Sequence, residues 1–265
     1  MKAVRVIVNV LTALMLAFTL VGAGFVVCTT PPITHGLSWV FCDDGTSPFD
    51  RNQLSRVADA TRDYSFGNHD LLALYQVIYD VDTEYRNSVG YSASSTTSAN
   101  YPRVDKVTDR TSLQQLRDAF EGASEMYCYS KETISHLDDC YALNRLSYPL
   151  IIAAAILAIA GLVFTGITGR KRRLGVVLLG AGIFIIVAFI AIGVWAAIDF
   201  NGFFAAFHSV FFSKGNWSFP YDSLLICALP TAFWVGMGVV WFVVAVLLSI
   251  VSILVGKKLV RKKRS

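Results

Sequence analysis

Four stretches of the chain, residues 6–27, 149–169, 174–198 and 224–256, contain no Asp, Glu, Lys, Arg or His. Each is long enough to cross a bilayer as a helix, which takes about 20 apolar residues. Inside hydrocarbon every backbone polar group must be satisfied within the protein, so unbroken apolar runs of this length read as spanning helices. The expected fold class is therefore an all-α polytopic membrane protein, with four transmembrane helices and a mainly helical extracytoplasmic domain between spans 1 and 2. Charged residues make up only 16% of the chain, against about 25% in soluble domains. A disordered nucleic-acid tail is excluded, and the composition argues against a simple soluble enzyme.

Charge sets the orientation. Twelve of the 23 basic residues lie at the N-terminus (Lys2, Arg5), between the second and third runs (residues 170–173) and in the tail after residue 256, and none of the 19 acidic residues does. The positive-inside rule then places both termini in the cytoplasm and the two acidic connections outside. These basic blocks set topology and touch anionic lipid, and no nucleic-acid partner is expected. The first run is 22 residues, longer than the apolar region of about 7–15 residues in a secretory signal, so a retained anchor is expected. The resulting division is helix 1 in 1–28, an extracytoplasmic domain in 29–147 and helix 2 in 148–169. A basic cytoplasmic loop in 170–173, helix 3 in 174–198, an extracytoplasmic interfacial loop in 199–223, helix 4 in 224–256 and a basic tail in 257–265 complete it.

Within the outer domain, Asp50 is placed to cap a helix through about Tyr64, Asp70 one over 69–79, and Thr111 or Ser112 a third. Each carries apolar residues at helical spacing behind a side-chain acceptor for the free N–H groups of the first turn. A fourth helix is read over 131–146, with Pro149 marking a bend or restart before the second span. Residues 87–102 are rich in Ser and Thr and poor in apolar side chains, and read as a mobile loop. Of the five cysteines, pairing of Cys128 with Cys140 or of Cys28 with Cys42 is open, beside buried thiols.

The sequence has no Gly-rich phosphate loop, no H-E-x-x-H, no G-x-S-x-G and no C-x-x-C. Uncharged spans disfavour an ion pathway, which moves any chemistry to the outer membrane surface. Two segments there carry candidate groups. Glu132, His136 and Asp139 fall on one helix face, where a carboxylate can orient an imidazole and raise its basicity. Asp199 to Phe212 holds His208 among Phe203, Phe204, Phe207, Phe211 and Phe212, followed by Trp217 and Asp222. It reads as a short helix lying in the membrane interface. Two histidines and scattered carboxylates do not make a zinc ligand set.

These two segments resemble the bacterial lipoprotein intramolecular transacylase (Lit) family of four-span membrane proteins. That family carries an E-x-x-H-M-x-D-V-like segment before its second span; here it reads Glu132-Thr-Ile-Ser-His136-Leu-Asp138-Asp139-Cys140. One extra residue separates Glu and His, and Leu and Cys stand for Met and Val. The family's F-H-x-x-F-F…W…D…L-I…P segment is followed by Phe207, His208, Phe211, Phe212, Trp217, Asp222, Leu225, Ile226 and Pro230. The resemblance implies a cofactor-free acyltransferase of the bacterial cell membrane, with diacylated lipoprotein and membrane lipid as partners. It would move the sn-2 acyl chain of a diacylglyceryl-Cys lipoprotein to the α-amine of the same Cys, giving a lyso-form lipoprotein. It implies His136 and His208 as the catalytic pair, with Glu132, Asp139, Trp217 and Asp222 in support. An imidazole near its ordinary pKa of about 6.5 can take a proton from the attacking amine, and the oxyanion needs a donor. Glu132 and Asp139 favour His136 as the base. The competing reading is a non-catalytic scaffold or envelope sensor with a partner-binding outer domain. The two differ in geometry: a catalytic pair must share a cleft, with the rings within about 10 Å.

Overall fold

The computed structural model describes residues 2–90, 101–168, 171–212, 215 and 217–261. Most of the Ser/Thr-rich segment, residues 91–100, lies outside them, as do Arg170, Asn216 and the end of the basic tail. Among the described residues all regular structure is helical. In chain order the helices are α1 (Lys2–Cys28), α2 (Pro31–Phe41), α3 (Arg51–Phe66), α4 (Leu71–Ser88) and α5 (Leu113–Phe120). Then follow α6 (Lys131–Thr168), α7 (Lys171–Ile198), α8 (Phe200–Phe211), α9 (Leu224–Ala228) and α10 (Thr231–Arg261), and a 3₁₀ turn covers Val104–Lys106. α1, α6, α7 and α10 are long and apolar enough to cross a membrane. In α6 the apolar stretch begins only at Pro149, and residues 131–147 are polar and mixed.

The chain forms two compact units. The first comprises Met1–Cys28, Arg145–Phe207 and Gly238–Ser265. Large apolar side chains such as Ile156, Ile159, Val187 and Val251 stay exposed on its helices, as lipid-facing positions must. Little hydrophobic force draws helices together in lipid, so small residues and polar contacts do the joining. Gly175 of α7 and Gly256 of α10 meet backbone to backbone: a Cβ built on Gly175 would stand 2.7 Å from the Gly256 carbonyl oxygen. Thr165 Oγ1 donates to Asn9 Oδ1 at 3.2 Å, Ser252 Oγ to the Leu178 carbonyl at 2.9 Å, and Trp241 Nε1 to the Val21 carbonyl at 2.8 Å. These three side chains pin helix to helix, whereas Thr12, Thr19 and Ser249 donate to carbonyls one turn back in their own helices.

The second unit comprises Thr29–Asn144 and His208–Met237. Its core gathers Phe49, Leu54, Val57, Ile78, Leu116, Leu224 and Phe233. The helix starts follow local chemistry. Asp50 accepts from Gln53 N and Gln53 Oε1 accepts from Asp50 N, a reciprocal capping box. Asp70 accepts from Ala73 N and Ser112 from Gln115 N. The Asp70 helix runs on to Ser88, well past the expected end at 79. At the far end of α4, Asp82 is wholly buried, with Arg86 Nε 2.7 Å from its Oδ2. Burial pushes the Asp82 carboxyl up to about 6 against the pull of Arg86.

Three expectations change. α6 runs through Pro149 without a restart: a proline costs one i→i−4 hydrogen bond, which flanking turns can absorb within a long helix. The apolar run at 224–256 is not one helix. Leu224–Ala228 forms the short α9, and the chain breaks before α10 at Leu229–Pro230, where proline has no N–H to continue the ladder. α9 belongs to the core of the second unit, tied there by Leu224 N to the Glu125 carbonyl (2.8 Å), Asp43 N to the Cys227 carbonyl (2.8 Å) and Ser38 Oγ to the Ala228 carbonyl (3.0 Å). Neither cysteine pairing forms. All five cysteines are free, and four of them are buried.

Candidate active site

Ser130 starts the helix that carries the first histidine. Its Oγ accepts from Thr133 N at 3.2 Å and its carbonyl from Ile134 N at 3.0 Å. Thr133 and Leu137, one turn apart, turn into the core of the unit. That fixes the rotation of α6 and sends the next face, His136 and Cys140, to one side. His208 arises in the last turn of α8, where its carbonyl accepts from Phe212 N at 2.7 Å.

The structure brings these two histidines together. Their ring centroids lie 6.1 Å apart with planes at 28°, and each side chain is 9% exposed. The separation leaves room for a reacting atom within hydrogen-bond reach of both rings. Aromatic side chains wall the pair: Phe212 lies 4.7 Å from His136 and 5.4 Å from His208. Phe219 is 5.7 Å from His136, and Trp217 is 5.0 Å from His208. Asp222 lies in the turn before α9, half-buried.

The walls set the electrostatics. Burial, then the neighbouring charge of a protonated His208, pushes the His136 imidazolium down to about 4, against the attraction of Asp139. The ring is neutral at pH 7 and carries one N–H. Nε2 faces the Cys140 thiol at 3.6 Å. Nδ1 is buried and, among the described residues, has no hydrogen-bond partner. Burial and the charge of Asp139 push the Cys140 thiol up to about 12, so its sulfur keeps its proton.

Spacing alone misleads at Glu132. It was expected to hold the His136 ring, yet its side chain stays exposed, and the two ring nitrogens of His136 meet a thiol and no partner. A carboxylate loses less by remaining in water than by following the ring into an apolar pocket. Asp139 acts on the ring through its field. Phe219 and the closeness of Cys140 went unread in the sequence, although Cys140 stands four residues from His136, one helical turn on.

The remaining histidines lie elsewhere. His35 Nδ1 pairs with Asp59 Oδ2 at 2.7 Å on the surface. His69 is stacked between Tyr64 (4.2 Å) and Tyr141 (3.8 Å), with Nε2 3.5 Å from Asp138 Oδ1.

Four long apolar helices define a multi-pass helical membrane protein, and its second unit encloses two histidines within aromatic walls. The sequence matches the family model of the lipoprotein intramolecular transacylase Lit over residues 74–234, a stretch that includes both histidines. The chain belongs to that family. No curated protein matches it in sequence. Among solved structures it is similar to the membrane integral lipoprotein intramolecular transacylase Lit from Bacillus cereus, at 16% identity and a TM-score of 0.67, over 100% of this chain and 99% of that one. Two variants of that protein, with a histidine replaced by arginine or by alanine, match at 16% identity. Their TM-scores are 0.62 and 0.61, over 99% of this chain and 95% and 96% of theirs.

Proposed function

We propose that the chain transfers an acyl group within a lipoprotein, from the sn-2 ester of the diacylglyceryl group on the N-terminal Cys to the α-amine of that same Cys. The observation that carries this reading is the face-to-face placement of His136 and His208 in one aromatic-walled pocket, in a member of this family. The α-amine, with a pKa of about 7.7–8.0, is partly free at neutral pH. Its nitrogen attacks the ester carbonyl, one histidine takes the proton, and the other supports the oxyanion. Collapse breaks the bond to the glycerol oxygen, which leaves with a proton. Amine and ester belong to one molecule, so holding them together supplies much of the rate. The product is a lyso-form lipoprotein with one ester chain left. Trp217 and Phe212 wall the pocket against water, and Asp139 tunes His136. On this reading both termini are cytoplasmic, and residues 29–147 and 199–223 face outward, where lipoproteins and outer-leaflet lipid meet the site.

The test is expression in a bacterium whose lipoproteins carry two ester-linked chains and a free α-amine, with tandem mass spectrometry of the N-terminal lipopeptide. A fragment with acyl on nitrogen and one ester chain, lost in His136→Ala and in His208→Ala, is the expected result. An unmodified lipopeptide from a well-expressed chain overturns the reading and returns the scaffold alternative.

A further inference from the structure

A further polar side chain lies against His136. Cys140 Sγ is 3.6 Å from Nε2, and the opposite ring nitrogen, Nδ1, is buried without a partner. A neutral imidazole has one N–H and one lone pair, and the partner of one nitrogen decides which atom carries the proton. Thiol sulfur is a weak acceptor, whereas a bare imidazole nitrogen is a good one. The better pairing is S–H donating to Nε2.

We infer that Cys140 holds His136 as its Nδ1–H tautomer, which makes His136 the hydrogen-bond donor of the site and leaves the base role to His208. The inference rests on the acyl-transfer reading and reverses the assignment favoured by the flanking carboxylates. A neutral, buried imidazole is suited to the donor part, since it polarises a carbonyl without giving up its proton. The steps balance. The free amine nitrogen bonds to the ester carbon, and the carbonyl π pair moves onto oxygen, which accepts a hydrogen bond from His136 Nδ1–H. His208 takes the proton of the attacking nitrogen. The carbon–oxygen bond to glycerol then breaks, and His208 returns that proton to the departing oxygen. Cys140 touches no reacting atom and is a positioning residue. A buried N–H without a protein acceptor, nine-tenths enclosed and beside the second histidine, is the mark of a donor kept for a ligand.

The test reads the tautomer directly. The full chain with ¹⁵N-labelled histidine, in lipid nanodiscs at pH 7, gives ring ¹⁵N shifts that separate protonated from bare nitrogens. The expected result is Nδ1–H at His136. Cys140→Val, close in volume and without a donor, mixes the two tautomers and lowers the N-acylation rate about three- to tenfold, the loss of one hydrogen bond. The pH midpoint of the rate stays in place, because the base is untouched. Cys140→Ser restores a donor, returns the ring to one tautomer and recovers rate relative to Val. Wild-type His136 found as Nε2–H, or a Val variant with an unaltered ring spectrum, overturns the inference. The ring spectrum reads on Cys140 whether or not substrate turns over, and the lipopeptide product reads on the proposed activity, so each fails by its own measurement.

Discussion

Removing His208 should give His136 back part of its ordinary basicity. Burial and the His208 charge hold the His136 imidazolium down, from 6.5 to about 4. At about 1.4 kcal/mol per pH unit this interval disfavours the charged ring by about 3 kcal/mol. His208→Ala removes the second cause outright. It also opens space beside Phe212 and Trp217 that water can enter, which relieves part of the first. The His136 midpoint should rise by about one pH unit or more. With four histidines in the chain, ring resonances in nanodiscs can be assigned by single substitutions and followed against pH. Stability gives a second readout. An unfolded chain binds a proton at His136 below pH 6.5, while the native chain does not until about 4. Between these values the unfolded state holds more protons, so the native fold loses stability as pH falls through the window. The loss attributable to this ring is at most about 3 kcal/mol, and His208→Ala should flatten it. A wild-type midpoint near 6.5, or a midpoint that stays near 4 in His208→Ala, would refute the account of a dry, coupled pair.

Three other outcomes follow from the geometry. His136→Ala and His208→Ala should each lower the N-acylation rate by about 100-fold or more, and the double variant should be little worse than either single one, because both rings serve the same bond changes; product quantified by mass spectrometry decides this, and additive losses would mean separate roles. Arg86→Met should destabilise the second unit by about 3–5 kcal/mol by leaving Asp82 buried without its cation; adding Asp82→Leu should recover most of it in thermal unfolding in detergent, and no recovery would show that Arg86 acts through packing alone. Gly175→Val should lower the Tm, with overpacking costs of about 1–3 kcal/mol, because a Cβ there meets the Gly256 backbone; Gly180→Val, with open space at its Cβ, should leave it near wild type.

What could be read in advance follows the range of the physics involved. The caps at Asp50 and Asp70, and the third narrowed to Thr111 or Ser112, were legible because a cap is a contact between a side chain and an amide three residues away. The spanning helices were legible because hydropathy acts along a single segment. α2 went unread although Pro31 and Pro32 open it, and proline in the first turn is a start signal. Hydropathy also concealed the break at Pro230, since the core of a folded unit and the core of a bilayer favour the same side chains. Contacts with Glu125, Asp43 and Ser38 decide that α9 belongs to the former. At the site, composition and spacing marked His136 and His208, and the resemblance joined them. Their 6.1 Å approach depends on packing that no local rule contains.

The same packing explains why a carboxylate does not accompany the ring. At Glu132 the chain offers the partner that helical spacing predicts, and the fold leaves it in solvent. A carboxylate bonded to His136 would fix one tautomer and also favour the cation. A thiol at the same helical offset on the other side fixes the tautomer without adding charge, since burial keeps its proton on sulfur. The aromatic walls from Phe212 and Phe219 then work with Cys140: they make charge costly at His136, while the thiol decides where its single proton sits. On the proposed acyl-transfer reading, a ring so placed is a poor base and a good donor, and the second histidine, held on α8, is the group left to move protons.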